Sequence, residues 1–358
     1  MACAYARPMS WTVPQLAKAV EAAAADVGFS GVVRVDRDGE LDYEAAFGLA
    51  HRGHEVPNTV DTRFAVASGA KGFTALAVVR LIEQGRLAPD TTARSVLGTD
   101  LPLIAADVTV EHLLAHRSGI GDYLDEDTLD DIADYVLKVP VHRLAETEEF
   151  LAELDGHPTK FPAGTGFAYC NSGYVLLALI AERVTGTGYH QLVDELVCRP
   201  AGLADTAFLR CDQLPARTAT GYLIRDGQWR SNVLHLPVRG NGDGGIHTTA
   251  ADMSTFWRAF LAGRIVGQDW VAEMTRPHSS VPTEKARYGL GFWLDETGPQ
   301  VRLAGYDAGV SFTSTHDPST DLTWSVLGNT DDGAWPVARA IRSLLVAGPG
   351  DDPGELPL

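Results

Sequence analysis

The sequence predicts an α+β fold: an antiparallel sheet drawn from both ends of the chain and flanked by terminal helices, plus a mainly helical lobe, with the active-site cleft between them. Three observations lead there. β-like runs cluster near the two ends of the chain, helical patterns fill its middle, and a helix stands at each end. The 358 residues are 45% hydrophobic and 21% charged, enough for a large core and unlike a disordered acidic chain.

Residues 13–26 read as a helix, with Pro14 in its first turn and Gly28 past its end. GVVRV and ELDYEAAF follow as two strands, split by Asp38-Gly39, a pair that tolerates the positive φ of a tight hairpin. Residues 72–84 are almost wholly apolar and stop at Gly85, which predicts a buried helix. Further helices are expected at 109–115, 147–154, 173–185, 189–197 and 249–262. GLGFWLDE, VSFTSTHD and LTWSVLGNT read as consecutive antiparallel strands, with turns at Thr297-Gly298 and Pro318-Ser319, before a last helix at 334–347. The α/β lobe is therefore expected to comprise residues 1–70 and 240–348, and the helical lobe 71–239. The acidic, Gly/Pro-rich stretch 349–358 is expected to be a disordered tail.

A net charge of -18 argues against nucleic acid and anionic membranes as partners, since no basic stripe offers a phosphate-binding surface. Cys3, Cys170, Cys198 and Cys211 form no CxxC pair and no disulfide framework. The first residues lack the basic start and apolar run of a secretion signal, and nothing approaches a membrane span. A cytoplasmic location is the expectation.

The chemistry centres on Ser68-Gly69-Ala70-Lys71, where an extended run, Thr62 to Ala67, meets the buried helix. Residues three apart share a helix face, so hydroxyl and amine can meet. A dry cleft at a helix N-terminus favours a neutral amine, which can take the hydroxyl proton so that serine attacks a carbonyl. The Ser68 backbone N–H would supply half of an oxyanion hole. Fifteen serines and five lysines in 358 positions give about 0.2 chance matches to this spacing, and Ser68 alone has it. A helix-capping serine with a solvated lysine is the bland alternative.

Tyr169 and Asn171 add support. Two apart in an extended loop, they point into one cleft. Tyr169 could share the Ser68 proton or pass one to a leaving group, and Asn171 could hold Lys71 and an acyl-side amide.

These segments resemble the serine β-lactamase-like superfamily, in the branch of class C β-lactamases, D-Ala-D-Ala carboxypeptidases, esterases and D-aminopeptidases. FAVASGAKGFTALAVVRLIEQGRL resembles its nucleophile segment, VTVEHLLAHRSGIGDY its LLxHxSG stretch, and FPAGTGFAYCNSGYVLLALIAE its tyrosine segment. GDGGIHTTAADMSTF and RYGLGFWL match later segments in order. The resemblance implies a β-lactamase-like two-lobe fold, nucleophile Ser68, base Lys71, proton relay Tyr169, and Asn171 as a substrate and network residue. The family's third motif is a Lys or His, a variable residue and a Gly on a strand lining the site. Here the nearest segment is LAGYDAGVSF, and Tyr306 aligns with the cationic position, followed by Asp307, Ala308 and Gly309. Tyrosine carries no charge and Asp307 repels carboxylates, so neutral esters, lactones or amides are favoured over carboxylate-bearing substrates. The second oxyanion donor is expected at the Gly309 backbone.

Other signals are weaker. Gly240 to Gly245 fits GxGxxG but lacks the βαβ context of a dinucleotide site. His116 reads as structural and His247 as a more distant substrate-side residue. Cys170 should pack away from the cleft, and Ser118 lacks a nucleophile elbow. No histidine–carboxylate cluster has metal spacing, so neither metal nor cofactor is expected. The sequence thus predicts acyl transfer through Ser68, with hydrolysis of a small-molecule ester or amide first. Transfer to an amine acceptor is the second reading, and a non-catalytic binding or sensor protein the third.

Overall fold

Thr12 begins the first helix, α1 (Val13–Val27): its N–H donates to Gln15 Oε1 at 2.7 Å, and Gly28 ends the helix at φ 61°. The computed structural model describes residues 11–129 and 131–345, so Cys3 and the expected tail 349–358 lie outside the described residues. After α1 come β1 (Gly31–Arg37) and β2 (Glu40–Phe47), joined by Asp38-Gly39 with φ 50° and 76°, the tight hairpin that the sequence predicts. The central helices are α2 (Ala70–Glu83), α3 (Asn171–Thr185) and α4 (Ala250–Leu261). The other strands of the main sheet are β3 (Ser279–Val281), β4 (Ala286–Tyr288), β5 (Trp293–Asp295), β6 (Val301–Asp307), β7 (Val310–Asp317) and β8 (Leu322–Gly328), followed by α5 (Ala334–Leu345).

The eight strands form one antiparallel sheet in the order β2-β1-β8-β7-β6-β5-β4-β3. The pairing of Val33 with Val326 zips the start of the chain to its end, as expected from the clustered β-like runs. Strand alternation sorts the side chains. Val33, Val35, Trp324 and Val326 face α1 and α5 through Leu16, Val20, Val337 and Ile341. Val32, Phe312 and Leu327 face the opposite way, into the core built on α2, α3 and α4.

In α2, Ala70 to Val79 and Leu81 are all buried, and in α3, Asn171 to Ala181 are all buried. Helices apolar on every side belong in an interior, and these two pack together. Their N-termini bring residues 68–71 and 171 to one place.

Some elements differ from the sequence reading. β6 was not expected as a strand between β5 and β7, because its centre, Ala304-Gly305, has low strand propensity. Residues 147–154 make a 3₁₀ turn before a short helix, and 194–198 continue the helix Tyr189–Val193 as a wider π turn. A hairpin at Tyr222–Arg225 and Gln228–Ser231 lies within the region expected to be helices and loops.

β6 meets the start of α2 without a side chain between them. A β-carbon on Gly305 would run into the Val66 carbonyl oxygen and crowd Ser68 N and Gly69 N at 3.0 and 2.9 Å. Backbone on two sides cannot give way cheaply, so Gly305→Ala is expected to destabilise by about 2 kcal/mol. Urea unfolding measures this, and a variant as stable as the parent would contradict the close approach.

Candidate active site

The nucleophile segment starts as a short strand, Phe64–Ala65, paired with His247–Thr248. Val66 N–H then bonds Ile246 O at 3.0 Å, and the chain turns at Ala67, whose φ of 43° is left-handed for a residue with a β-carbon. Gly245 N–H donates to Ala67 O at 3.3 Å and holds that turn. Ser68 follows in the 3₁₀ turn Ala67–Gly69, at the mouth of α2.

Lys71 is 1% exposed, and its Nζ lies 2.9 Å from Ser68 Oγ. It also donates to Asn171 Oδ1 and to the Asp243 carbonyl, both at 2.8 Å. Two of the three contacts need an N–H. The third is to a hydroxyl, which can accept from an ammonium or donate to an amine.

Tyr169 presents its hydroxyl to Ser68, and its ring covers Lys71 Nζ at 4.8 Å from the centroid. Burial pushes the phenol well above its usual range, and the Glu126 charge adds to that, against the hydrogen bond to Ser68. Tyr169 is thus a neutral donor at ordinary pH. His116 backs its ring at 4.3 Å, and His116 Nδ1 accepts from Cys170 N–H at 3.0 Å. Burial, then the nearby Lys71 charge, keeps this imidazole well below its usual range, so it stays neutral. Its place is structural, as the sequence suggests: it props Tyr169.

Asn171 is the first residue of α3, not part of an extended loop, and its side chain still reaches Lys71. Its Nδ2 donates to Leu124 O and Glu126 Oε1, both at 2.9 Å. Asp122 caps α3 from a distant loop, accepting from Asn171 N at 2.7 Å and Ser172 N at 2.8 Å. Tyr123 donates to Asp243 Oδ2 at 2.5 Å, tying the same loop to the glycine-rich turn 240–245. Burial pushes the Asp243 carboxyl up, against the opposing pull of Lys71. That turn is a protein wall: it offers Lys71 a carbonyl rather than cradling a nucleotide.

The third motif is where the sequence reading needs correction. Gly309 sits in the Ala308-Gly309 hairpin turn at φ 70°, against Gly221, Tyr222 and Asn232. Ala308 is fully buried, and its carbonyl accepts from Asn232 Nδ2 at 2.9 Å. Neither is beside Ser68, so Gly309 is not the second oxyanion donor. The glycine against Ser68 is Gly305. Counting back from it, the cationic position falls on Leu303, which is buried against Gly72, and not on Tyr306. Tyr306 is instead the residue after the motif's glycine. Asp307 pairs with Val310 across the hairpin, so strand alternation turns the Tyr306 N–H away from β7. β5 pairs only with Val301 and Arg302, leaving that edge of β6 open at Tyr306.

Two chambers meet at Ser68. One is walled by Leu209, Leu214, Leu236 and Val238, with Tyr306, Asp307, Glu126 and His247 also on its surface. The other is walled by Phe167, Tyr169, Trp293 and Val281, with Asp125, Glu126 and Glu284. Sequence reasoning missed Asp243, Glu126 and Trp293. Of these, only Asp243 carried a local signal, its place in the glycine-rich turn.

Comparison with known proteins follows the same lines. The family profile described as Beta-lactamase matches residues 16–348. The crystal structure of a penicillin binding protein from Bacillus halodurans superposes with a TM-score of 0.85 at 35% identity, over 91% of this chain and 99% of that one. Esterase EstB of Burkholderia gladioli is 36% identical over 212 residues, 55% of this chain and 50% of the esterase. Penicillin-binding protein 4* of Bacillus subtilis (strain 168) is 25% identical over 301 residues, 78% of this chain and 63% of that protein. The chain therefore spans between 50% and 63% of the length of these two curated relatives.

Asp307 gives the site a pH dependence. Burial pushes its carboxyl from 3.8 up to about 7, against the bond it accepts from Ala308 N–H, with the Asp243 charge adding to the rise. The folded state thus holds a proton that the unfolded chain has lost. This contribution to stability is full below about 3.8 and fades as pH rises through about 7. Asp307→Asn cannot ionise, so its Tm relative to the parent is expected to climb from about pH 4 to about pH 8. A constant difference across that range would mean that Asp307 titrates as an ordinary carboxylate.

Proposed function

The chain belongs to the Beta-lactamase family, and from that premise we propose that it is a serine hydrolase acting on a neutral ester or amide through an acyl-enzyme on Ser68. The observation that carries the reading is the 2.9 Å contact between Lys71 Nζ and Ser68 Oγ inside a buried network. In the proposed cycle the Ser68 proton passes to Lys71 while Oγ attacks the substrate carbonyl. The N–H groups of Ser68 and Tyr306 receive the developing oxyanion. Tyr169 hands a proton to the leaving atom and recovers one from Lys71, so the bond from carbonyl carbon to leaving group breaks as the Ser68 ester forms. Water then repeats the sequence and returns the proton to Ser68.

The substrate preference follows from Leu303. With an apolar side chain where the family places a cation, Asp307 on the chamber wall, and Arg302 of this strand lining neither chamber, no strand cation is placed to hold a substrate carboxylate. Esters, lactones and amides without one are the preferred class. An amine acceptor in place of water is a second reading, favoured by the aromatic and acidic wall around Tyr169 and Trp293.

Incubation with p-nitrophenyl acetate and intact-mass spectrometry tests the proposal. The parent is expected to gain one acetyl group and Ser68→Ala none. Lys71→Ala and Tyr169→Phe are each expected to slow acylation by about 10²- to 10⁴-fold. Acylation of the Ser68→Ala variant at the parental rate would end the assignment. Repeating the reaction with added amines separates the two readings, since amide product marks transfer and acetate alone marks hydrolysis.

A further inference from the structure

The two chambers differ in chemistry, and the proton path tells them apart. Tyr169, which must reach the leaving atom, lines the aromatic and acidic chamber but not the other. A carbonyl carbon held at Ser68 with its leaving group toward Tyr169 must direct its acyl substituent to the opposite side. That side is bounded by Leu209, Leu214, Leu236 and Val238.

We infer that this chamber binds an aliphatic acyl chain, so that the natural acyl donor carries a hydrocarbon acyl group longer than acetyl. The inference rests on Ser68 being the acylated residue. Much of the polar surface on this wall is already engaged within the protein. Asn171 holds Lys71, Asp243 accepts from Tyr123, and Asn232 holds the Ala308 carbonyl. Asn241 Nδ2 and His247 Nδ1 have no hydrogen-bond partner among the described residues, but both atoms are buried behind the wall rather than exposed on it. Glu126, Tyr306 and Asp307 also reach this wall, and elsewhere it offers mainly hydrocarbon. Two exposed apolar residues follow lining residues in the chain: Leu234, 80% exposed, after Val233, and Val136, 91% exposed, after Tyr135. A largely apolar chamber suits a chain that leaves water as it enters. Glu126 borders both chambers, but the other one adds Asp125 and Glu284 to it and is the less suited to such a chain.

The test is kcat/KM on p-nitrophenyl acetate, butanoate, hexanoate and octanoate. Burying one methylene corresponds to about fourfold, so specificity is expected to rise by up to about fourfold per methylene from acetate to hexanoate. Leu214→Trp and Leu236→Trp, which narrow the chamber, should each cut the octanoate-to-acetate ratio at least tenfold. Thr283→Trp, in the opposite chamber, should keep that ratio. Circular dichroism confirms that each variant is folded. Acylation of Ser68 with a flat or falling chain-length profile would overturn this inference and spare the nucleophile. Loss of the ratio in Thr283→Trp alone would reverse the two chambers. No acylation of Ser68 by any ester would overturn the underlying reading itself.

Discussion

The site depends on how Lys71 Nζ divides its three contacts. Asn171 Oδ1 and the Asp243 carbonyl accept hydrogen and nothing else, so two N–H groups are fixed by geometry. The third direction meets Ser68 Oγ, which can stand on either end of a hydrogen bond. The same arrangement is therefore fully bonded whether the proton rests on nitrogen or on oxygen. A proton can cross without any heavy atom moving, and no buried group is orphaned on either side of the transfer. The Tyr169 ring over the same nitrogen favours the charged form once it is made.

That arrangement needs three chain segments, the second 100 and the third 172 residues beyond Lys71, to meet at one nitrogen. Two buried helices achieve it by presenting their first turns to each other. Lys71 lies in the first turn of α2, and Asn171 opens α3. The glycine-rich turn supplies the third segment, held by the Thr74 hydroxyl on the Gly242 carbonyl at 2.6 Å. Asp122 fixes the start of α3 by accepting two of its N–H groups, at the cost of burying a carboxyl whose proton affinity rises to about 6. On the other side, Gly69 and Gly72 bring α2 close to Phe312 and Leu303 of the sheet. Small residues thus stand where backbone must touch the sheet, and polar ones where it must be oriented.

Much of this was legible in the sequence because its signals are local. Helix spacing joins Ser68 to Lys71, Asp38-Gly39 makes a hairpin, and unbroken apolar runs mark the two interior helices. The Tyr169 and Asn171 pair was read correctly as facing one site, although Asn171 reaches it from a helix. What escaped the reading was register across space. One glycine in LAGYDAGVSF touches the nucleophile turn, and only the packing of β6 on α2 selects Gly305 over Gly309. Asp122 carries no capping signal because the helix it caps begins about fifty residues later. The hairpin at Asp226-Gly227 is different: its turn pair, between YLIR and QWRS, is a local signal of the same kind as Asp38-Gly39.

The corrected register changes the electrostatic account of the site. A lysine or histidine on β6 would have balanced the acids that crowd Lys71. With Leu303 buried in its place, Asp122, Asp243 and Asp307 are all pushed toward their neutral forms by burial, and Asp243 and Glu126 raise Asp307 further. A cleft of this kind offers an anionic substrate no opposite charge from this strand position. It also makes the developing oxyanion depend on directed N–H groups rather than on a nearby charge. Such donors stabilise negative charge only where the carbonyl oxygen sits, and they leave the rest of the substrate to be selected by shape and apolar contact. On the proposed reading, the uncharged Leu303 at the cationic position and the apolar part of the wall beyond Ser68 serve one end, recognition of an acyl group rather than of a charge.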